Sequence, residues 1–112
     1  MEGEYKLNTQ FKIKYDDDSI FELDEIYLYI RDILKEERIA KKTVKNIKEK
    51  IKTLNIFPFA YKPILKTKNF EYRKFIIKNY IIIYKINLKE KEISILHIYN
   101  QKLNYHQKSI LL

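Results

Sequence analysis

Three short runs rich in Ile, Tyr and Phe follow one another in the last third of the chain: Phe70 to Ile77, Tyr80 to Ile86 and Glu92 to Tyr99. β-Branched and aromatic side chains favour a pleated surface, so each run reads as a strand. Lys78-Asn79 supplies a two-residue turn in which Asn tolerates positive φ, and Asn87 to Lys91 supplies the next turn. The three strands therefore form an antiparallel meander. Its middle segment, Tyr80-Ile81-Ile82-Ile83-Tyr84, is apolar on both faces. That pattern suits a central strand covered by helices on one side and by a partner on the other.

Upstream, Phe11-Lys12-Ile13-Lys14-Tyr15 alternates apolar and polar residues, the period of a half-buried strand. Asp16, Asp17, Asp18 and Ser19 follow, side chains that cap free helix N–H groups and suit a helix N-terminus. Leu23, Ile26, Tyr27, Ile30, Ile33 and Leu34 then recur at three- and four-residue steps and predict a first helix to about Lys35. Beyond the charged patch Lys35 to Arg38, Ala40, Val44, Ile47, Ile51 and Leu54 predict a second helix. Its outer face is basic, with Lys41, Lys42, Lys45, Lys48, Lys50 and Lys52. Two antiparallel helices joined by a short connection make a hairpin that lies across one face of a sheet. Pro58 and Pro63 stop helix and mark an extended loop from Phe57 to Asn69.

The expectation is one α+β domain over residues 1–112: an N-terminal strand and a two-helix hairpin packed on a C-terminal meander. Residues 1–10 read as strand or as a mobile N-terminus, and 103–112 as a C-terminal tail. With 46% hydrophobic and 34% charged residues, one Gly and two Pro, the composition is that of a folded domain with a single core. No apolar run approaches the ~18 residues of a membrane span, so a cytoplasmic protein without a membrane partner is expected.

The composition also removes whole classes of chemistry. Without cysteine there are no disulfides, thiolate nucleophiles, Cys-ligated zinc sites or iron–sulfur clusters. A lone Gly3 excludes the glycine-rich loops that bring backbone close to phosphate in nucleotide-cofactor enzymes. The aspartate triplet 16–18 is read as helix capping rather than as a cation site. Neither Ser94 nor Ser109 lies in a nucleophile elbow. No metal and no cofactor are expected.

The net charge of +8 is unevenly spread. Residues 1–36 hold ten acids and five bases, and residues 37–112 hold five acids and eighteen bases, net +13. Such a field attracts polyanions, whether nucleic acid or an acidic protein. The competing reading is a solvated lysine face. Within this basic part, Arg73, Lys74, Lys85, His97, Tyr99 and Lys102, joined by Tyr105 and His106 from the tail, form the candidate site. These groups suit either docking of an acidic protein or RNA cleavage without metal. In the latter a base removes the 2'-OH proton, cations stabilise the pentavalent phosphate and an acid protonates the leaving oxygen.

The order of strand, helix hairpin, Pro-containing loop and meander is accompanied by quotable segments: Asp24-Glu25-Ile26-Tyr27-Leu28-Tyr29-Ile30, Ile47 with Ile51, Leu54 and Phe57-Pro58, Glu71-Tyr72-Arg73-Lys74, Lys78 to Tyr84, and Ile95 to Asn104. Together, over nearly the whole chain, they resemble the RelE/ParE family of toxins from type II toxin–antitoxin systems. The resemblance implies a bacterial growth inhibitor neutralised by a cognate antitoxin with an acidic or amphipathic C-terminal segment. A toxin–antitoxin hetero-oligomer follows from this, and a homodimer is the other arrangement that would cover the apolar surface left by the central strand. Because the central strand leaves apolar surface, the antitoxin segment is expected over the helix hairpin and the sheet edge.

Toxins of this family divide into ribosome-dependent mRNA endonucleases, similar to RelE, and inhibitors of DNA gyrase, similar to ParE. RelE-like nucleases carry an arginine inside a Tyr-Arg-Leu-Val-Tyr pattern, where this chain has Tyr80-Ile81-Ile82-Ile83-Tyr84. The final strand is closer to the ParE pattern Arg-Val-Leu-His-Gln-Arg-Met-Asp. There the chain carries His97 for the first Arg, Asn100 for His, Lys102 for the second Arg, Leu103 for Met and Asn104 for Asp. The resemblance thus implies a ParE-like toxin that binds gyrase without chemistry of its own. The alternatives are a RelE-like endoribonuclease acting on ribosome and mRNA through Arg73, His97, Lys102, Tyr105 and His106, and an inactive member that only binds its antitoxin.

Overall fold

The structure is a computed structural model that describes residues 10–101. Strand β1, Lys12–Tyr15, leads into helix α1, Asp17–Leu28, which continues as a π-helical turn over Tyr29–Ile33. Helix α2 spans Glu37–Lys52 and ends in a 3-10 turn, Thr53–Asn55. Strands β2, Lys62–Lys66, β3, Phe70–Ile77, β4, Tyr80–Asn87, and β5, Glu92–Asn100, complete the fold. The sheet order is β1-β5-β4-β3-β2, with β1 parallel to β5 and every other pair antiparallel. The expected α+β architecture is thereby observed.

Both helices pack on one face of the sheet. Leu23 and Ile26 of α1, Ile30 of the π-helical turn, Ala40, Ile47 and Ile51 of α2, and Leu54 meet Phe75, Ile82, Tyr84, Ile86, Ile93, Ile95 and Ile98 in one buried cluster. Alternate residues of β4, Tyr80, Ile82, Tyr84 and Ile86, are buried, whereas Ile81 and Ile83 on the opposite face are half-buried. Among the described residues no helix is long and apolar enough to cross a membrane.

Several expectations need correction. The stretch expected as loop contains β2, which pairs with β3 through an irregular register at Pro63/Leu65. Proline is tolerated there because β2 is an edge strand and needs no ladder donor on its outer side. In the β3–β4 turn the left-handed residue is Lys78, φ 54°, not Asn79. Asp16 occupies the N-cap of α1 but makes no side-chain capping bond; instead Ser19 Oγ donates to the Asp16 carbonyl at 2.7 Å. Asp17 and Asp18 still place negative charge in the first turn, where the helix dipole favours it. Ile33 and Leu34 are 65% and 51% exposed rather than part of the core stripe. In the widened turn Leu34 N–H reaches back to the Tyr29 carbonyl, which rotates Ile33 out of phase with Ile26 and Ile30. The expectations for residues 1–9 and for the tail lie outside the described residues.

Candidate functional site

Cross-strand partners share a face, so the register sorts the candidate residues. Arg73 pairs with Tyr84 and therefore points to the helix side, while Lys74 pairs with Ile83, and Ile83 with His97. Lys74, Ile83 and His97 form one row on the face turned away from the helices. Tyr72, Lys85 and Ser94 form the next row, and Ile76, Ile81 and Tyr99 the row beyond. Neighbouring strands lie about 4.8 Å apart, so Lys74 and His97 start about 10 Å apart.

A bulge puts His97 in this row. Ile93 and Ile95 oppose Ile86 and Tyr84 on the core face, and strict alternation would send His97 there as well. The ladder shifts between Ile83 and Tyr84, leaving Leu96 as the extra residue of β5, so that Ile98 returns to the core and His97 and Tyr99 turn outward.

Helix α1 then fixes the imidazole. β1 ends at Tyr15, opposite Ile95, and beyond it the Ile98 N–H has no strand to receive it. Glu22 supplies the acceptor: its Oε1 takes the Ile98 N–H at 2.9 Å, and both carboxylate oxygens lie 3.3 Å from His97 Nδ1. Burial pushes the Glu22 carboxyl up from its ordinary value, opposed by the Ile98 N–H and by His97. His97 also stacks on Tyr99, with ring centroids 5.0 Å apart and planes 11° from parallel. Burial raises the Tyr99 phenol, which stays protonated at neutral pH. Lys85 places its ammonium 4.9 Å from the centre of the Phe70 ring. The result is a cationic and aromatic surface with an oriented imidazole.

Arg73 is not part of it. Its side chain is 9% exposed and its guanidinium bonds the Glu71 carboxylate, with Nη2 at 2.7 Å and Nε at 3.1 Å. Nη1 donates to the carbonyls of Phe59 and Tyr61, and the group lies 5.3 Å from the Phe59 ring. The grouping of Arg73 with Lys74, Lys85, His97 and Tyr99 is thereby corrected: alternation along β3 sends neighbours to opposite faces. Lys102, Tyr105 and His106 lie outside the described residues.

Arg73 instead holds a loop. It fastens residues 59 and 61 to the sheet, and the buried Tyr84 hydroxyl donates to the Pro58 carbonyl at 2.8 Å. At and just before these anchors Ile56, Phe57 and Phe59 are 56%, 62% and 48% exposed. Such a rigid apolar tip suits contact with another protein. At the other end of the molecule, the π-helical turn, the start of α2 and the β3–β4 turn enclose a cavity of about 410 Å³, with Ile30, Leu34, Ile39 and Tyr80 in its wall. Neither feature was singled out from sequence. Glu22 had a detectable signal: it lies four residues before Ile26 and three after Ser19, on the buried side of α1, where a carboxylate needs a partner.

A family model described as the ParE toxin of the type II toxin–antitoxin system, parDE, matches residues 13–105. The chain belongs to the ParE toxin family. The match begins at the second residue of β1 and runs through the end of β5. No curated protein matches this ParE-family chain. Among solved structures it is similar to a chain of the chromosomal ParDE toxin–antitoxin system from P. aeruginosa, at 22% identity, TM-score 0.65, over 82% of this chain and 97% of that one. A chain of the archaeal RelE–RelB complex from Pyrococcus horikoshii OT3 gives 19% identity and a TM-score of 0.49, over 84% and 98%. The fold of this ParE-family toxin is shared with the P. aeruginosa ParDE chain at low sequence identity.

Proposed function

We propose that this ParE-family toxin inhibits growth by binding DNA gyrase, without chemistry of its own, and that a cognate antitoxin neutralises it. The observation that carries this reading is the commitment of Arg73. A phosphoryl-transfer site needs cations aimed at the phosphorane, and the arginine of the candidate set is buried on the helix side, spent on Glu71 and two carbonyls. Ile81 occupies the position at which RelE-like relatives carry arginine. What the surface offers is apolar and aromatic contact: Ile56, Phe57 and Phe59 at one loop, and Ile20, Phe21 and Leu28 exposed on α1. The downstream charge of +13 favours acidic segments on the antitoxin. Calorimetric titration of gyrase with the purified chain tests this. Saturable binding that survives His97→Ala is expected, and absence of binding overturns the reading.

One observation favours a second reading, cleavage of ribosome-bound mRNA. Glu22 orients His97 through Nδ1, which leaves Nε2 for proton transfer on the sheet face that also carries Lys85 and Lys74. Primer extension on translating ribosomes separates the two. Cuts that vanish in His97→Ala would favour the nuclease, and an uncut message the binding toxin.

A further inference from the structure

Helix α2 carries Lys41, Lys45, Lys48 and Lys52 at steps of four, three and four. At 100° per residue they fall within about 60° of arc and extend over about 16 Å of helix. All four are exposed. Beside this ridge, between α1 and α2, runs a groove floored by Tyr27 and Val44, with Glu49 on its rim. Arg31 lies 5.5 Å from the centre of the Tyr27 ring, its own charge engaged by Asp32.

Like charges three and four residues apart repel along a helix. A ridge of four is therefore unfavourable unless acids compensate it. Among the described residues, Glu37 approaches Lys41 at 4.0 Å, both side chains being more than 60% exposed, and no carboxylate reaches ion-pair distance of Lys45, Lys48 or Lys52. The fold leaves the charge for an outside partner.

We propose that this ridge docks the phosphate backbone of duplex DNA without reading its sequence. Four lysines and no arginine provide point charges rather than planar bidentate forks, which suits phosphate oxygens and not base edges. No apolar anchor interrupts the row. Tyr27 and Val44 beside it are partly buried and packed against the core, so the charge of the row is what projects furthest into solvent. The inference goes beyond the gyrase reading and does not depend on it.

Fluorescence anisotropy of a short labelled duplex, titrated with the full chain at a series of salt concentrations, tests it. Four phosphate contacts predict a slope of log K against log salt of about −3.6, a roughly hundredfold loss of affinity between about 50 and 200 mM. Replacing Lys41, Lys45, Lys48 and Lys52 together by Gln, which keeps helix propensity, is expected to flatten the slope toward zero. The Lys45→Gln/Lys52→Gln pair should halve it, which keeps the test decisive if the fourfold variant folds poorly. A charge-matched control, Lys62, Lys66, Lys68 and Lys89 to Gln, should keep the slope, and a second duplex of unrelated sequence should bind equally. The proposal is overturned if the ridge variants keep the wild-type slope, if the control loses it equally, or if poly-glutamate at matched charge displaces the duplex as well as unlabelled DNA does.

Discussion

Arg73 and Lys74 are neighbours in sequence and lie on opposite faces of the sheet, Arg73 opposite Tyr84 on the helix side and Lys74 opposite Ile83 on the far side. The first is a structural cation and the second a surface one. Replacing Arg73 by Ala should therefore act on stability: it strands the Glu71 carboxylate, 14% exposed, and two carbonyls. Removing one partner of a buried pair costs roughly 3–5 kcal/mol. Urea unfolding of Arg73→Ala checks this; an unchanged midpoint with lost toxicity would place Arg73 in the site after all.

Tyr84→Phe isolates the second anchor of the same loop. It deletes the bond to the Pro58 carbonyl while keeping the ring, and leaves that buried acceptor unsatisfied at about 1–3 kcal/mol. Denaturant unfolding gives the loss. Faster proteolysis within residues 56–61 is expected as well, because the tie that orders them is gone.

Read from sequence, Arg73 and Lys74 fall together on one surface, although the two-residue period of Arg73, Phe75 and Ile77 already carries the signal that separates them. Both helices and the meander were legible in the sequence, because their apolar stripes are long. Three features were not. β2 carries Pro63 and is exposed throughout, so it has no periodicity to read. The bulge at Leu96 adds one apolar residue between Ile95 and His97 without a Gly or Pro to mark it, yet it decides where His97 points. The Glu22–Ile98 bond joins residues 76 apart, which only the packing of α1 on β5 reveals.

Glu22 makes stability depend on pH in a defined direction. Its folded-state value is raised above the ordinary 4.5 by burial, so the folded chain holds the proton more tightly than the unfolded chain does. Its contribution is full below the unfolded value and falls as pH rises through the folded one. His97, Asp18 and Tyr99 are the titratable groups coupled to it. Glu22→Gln keeps an acceptor for Ile98 N–H and removes the titration. Unfolding at a series of pH values should show wild type losing stability relative to this variant as pH rises above about 4.5; the opposite trend would refute the desolvated carboxylate.

Lys78 holds φ at 54° in the β3–β4 turn, where a Cβ is disfavoured. Lys78→Gly should raise stability by about 0.5–1 kcal/mol, read as a higher melting temperature. No gain would mean that the lysine side chain itself supports the turn.

The claim that this toxin acts by engaging its target rather than by cutting RNA is tested most directly with purified gyrase, ATP and supercoiled plasmid, the protein being denatured after incubation. Double-strand breaks that require both proteins and persist in His97→Ala are the predicted result. Intact plasmid, together with ribosome-bound message cut by wild type and spared by His97→Ala, would contradict it.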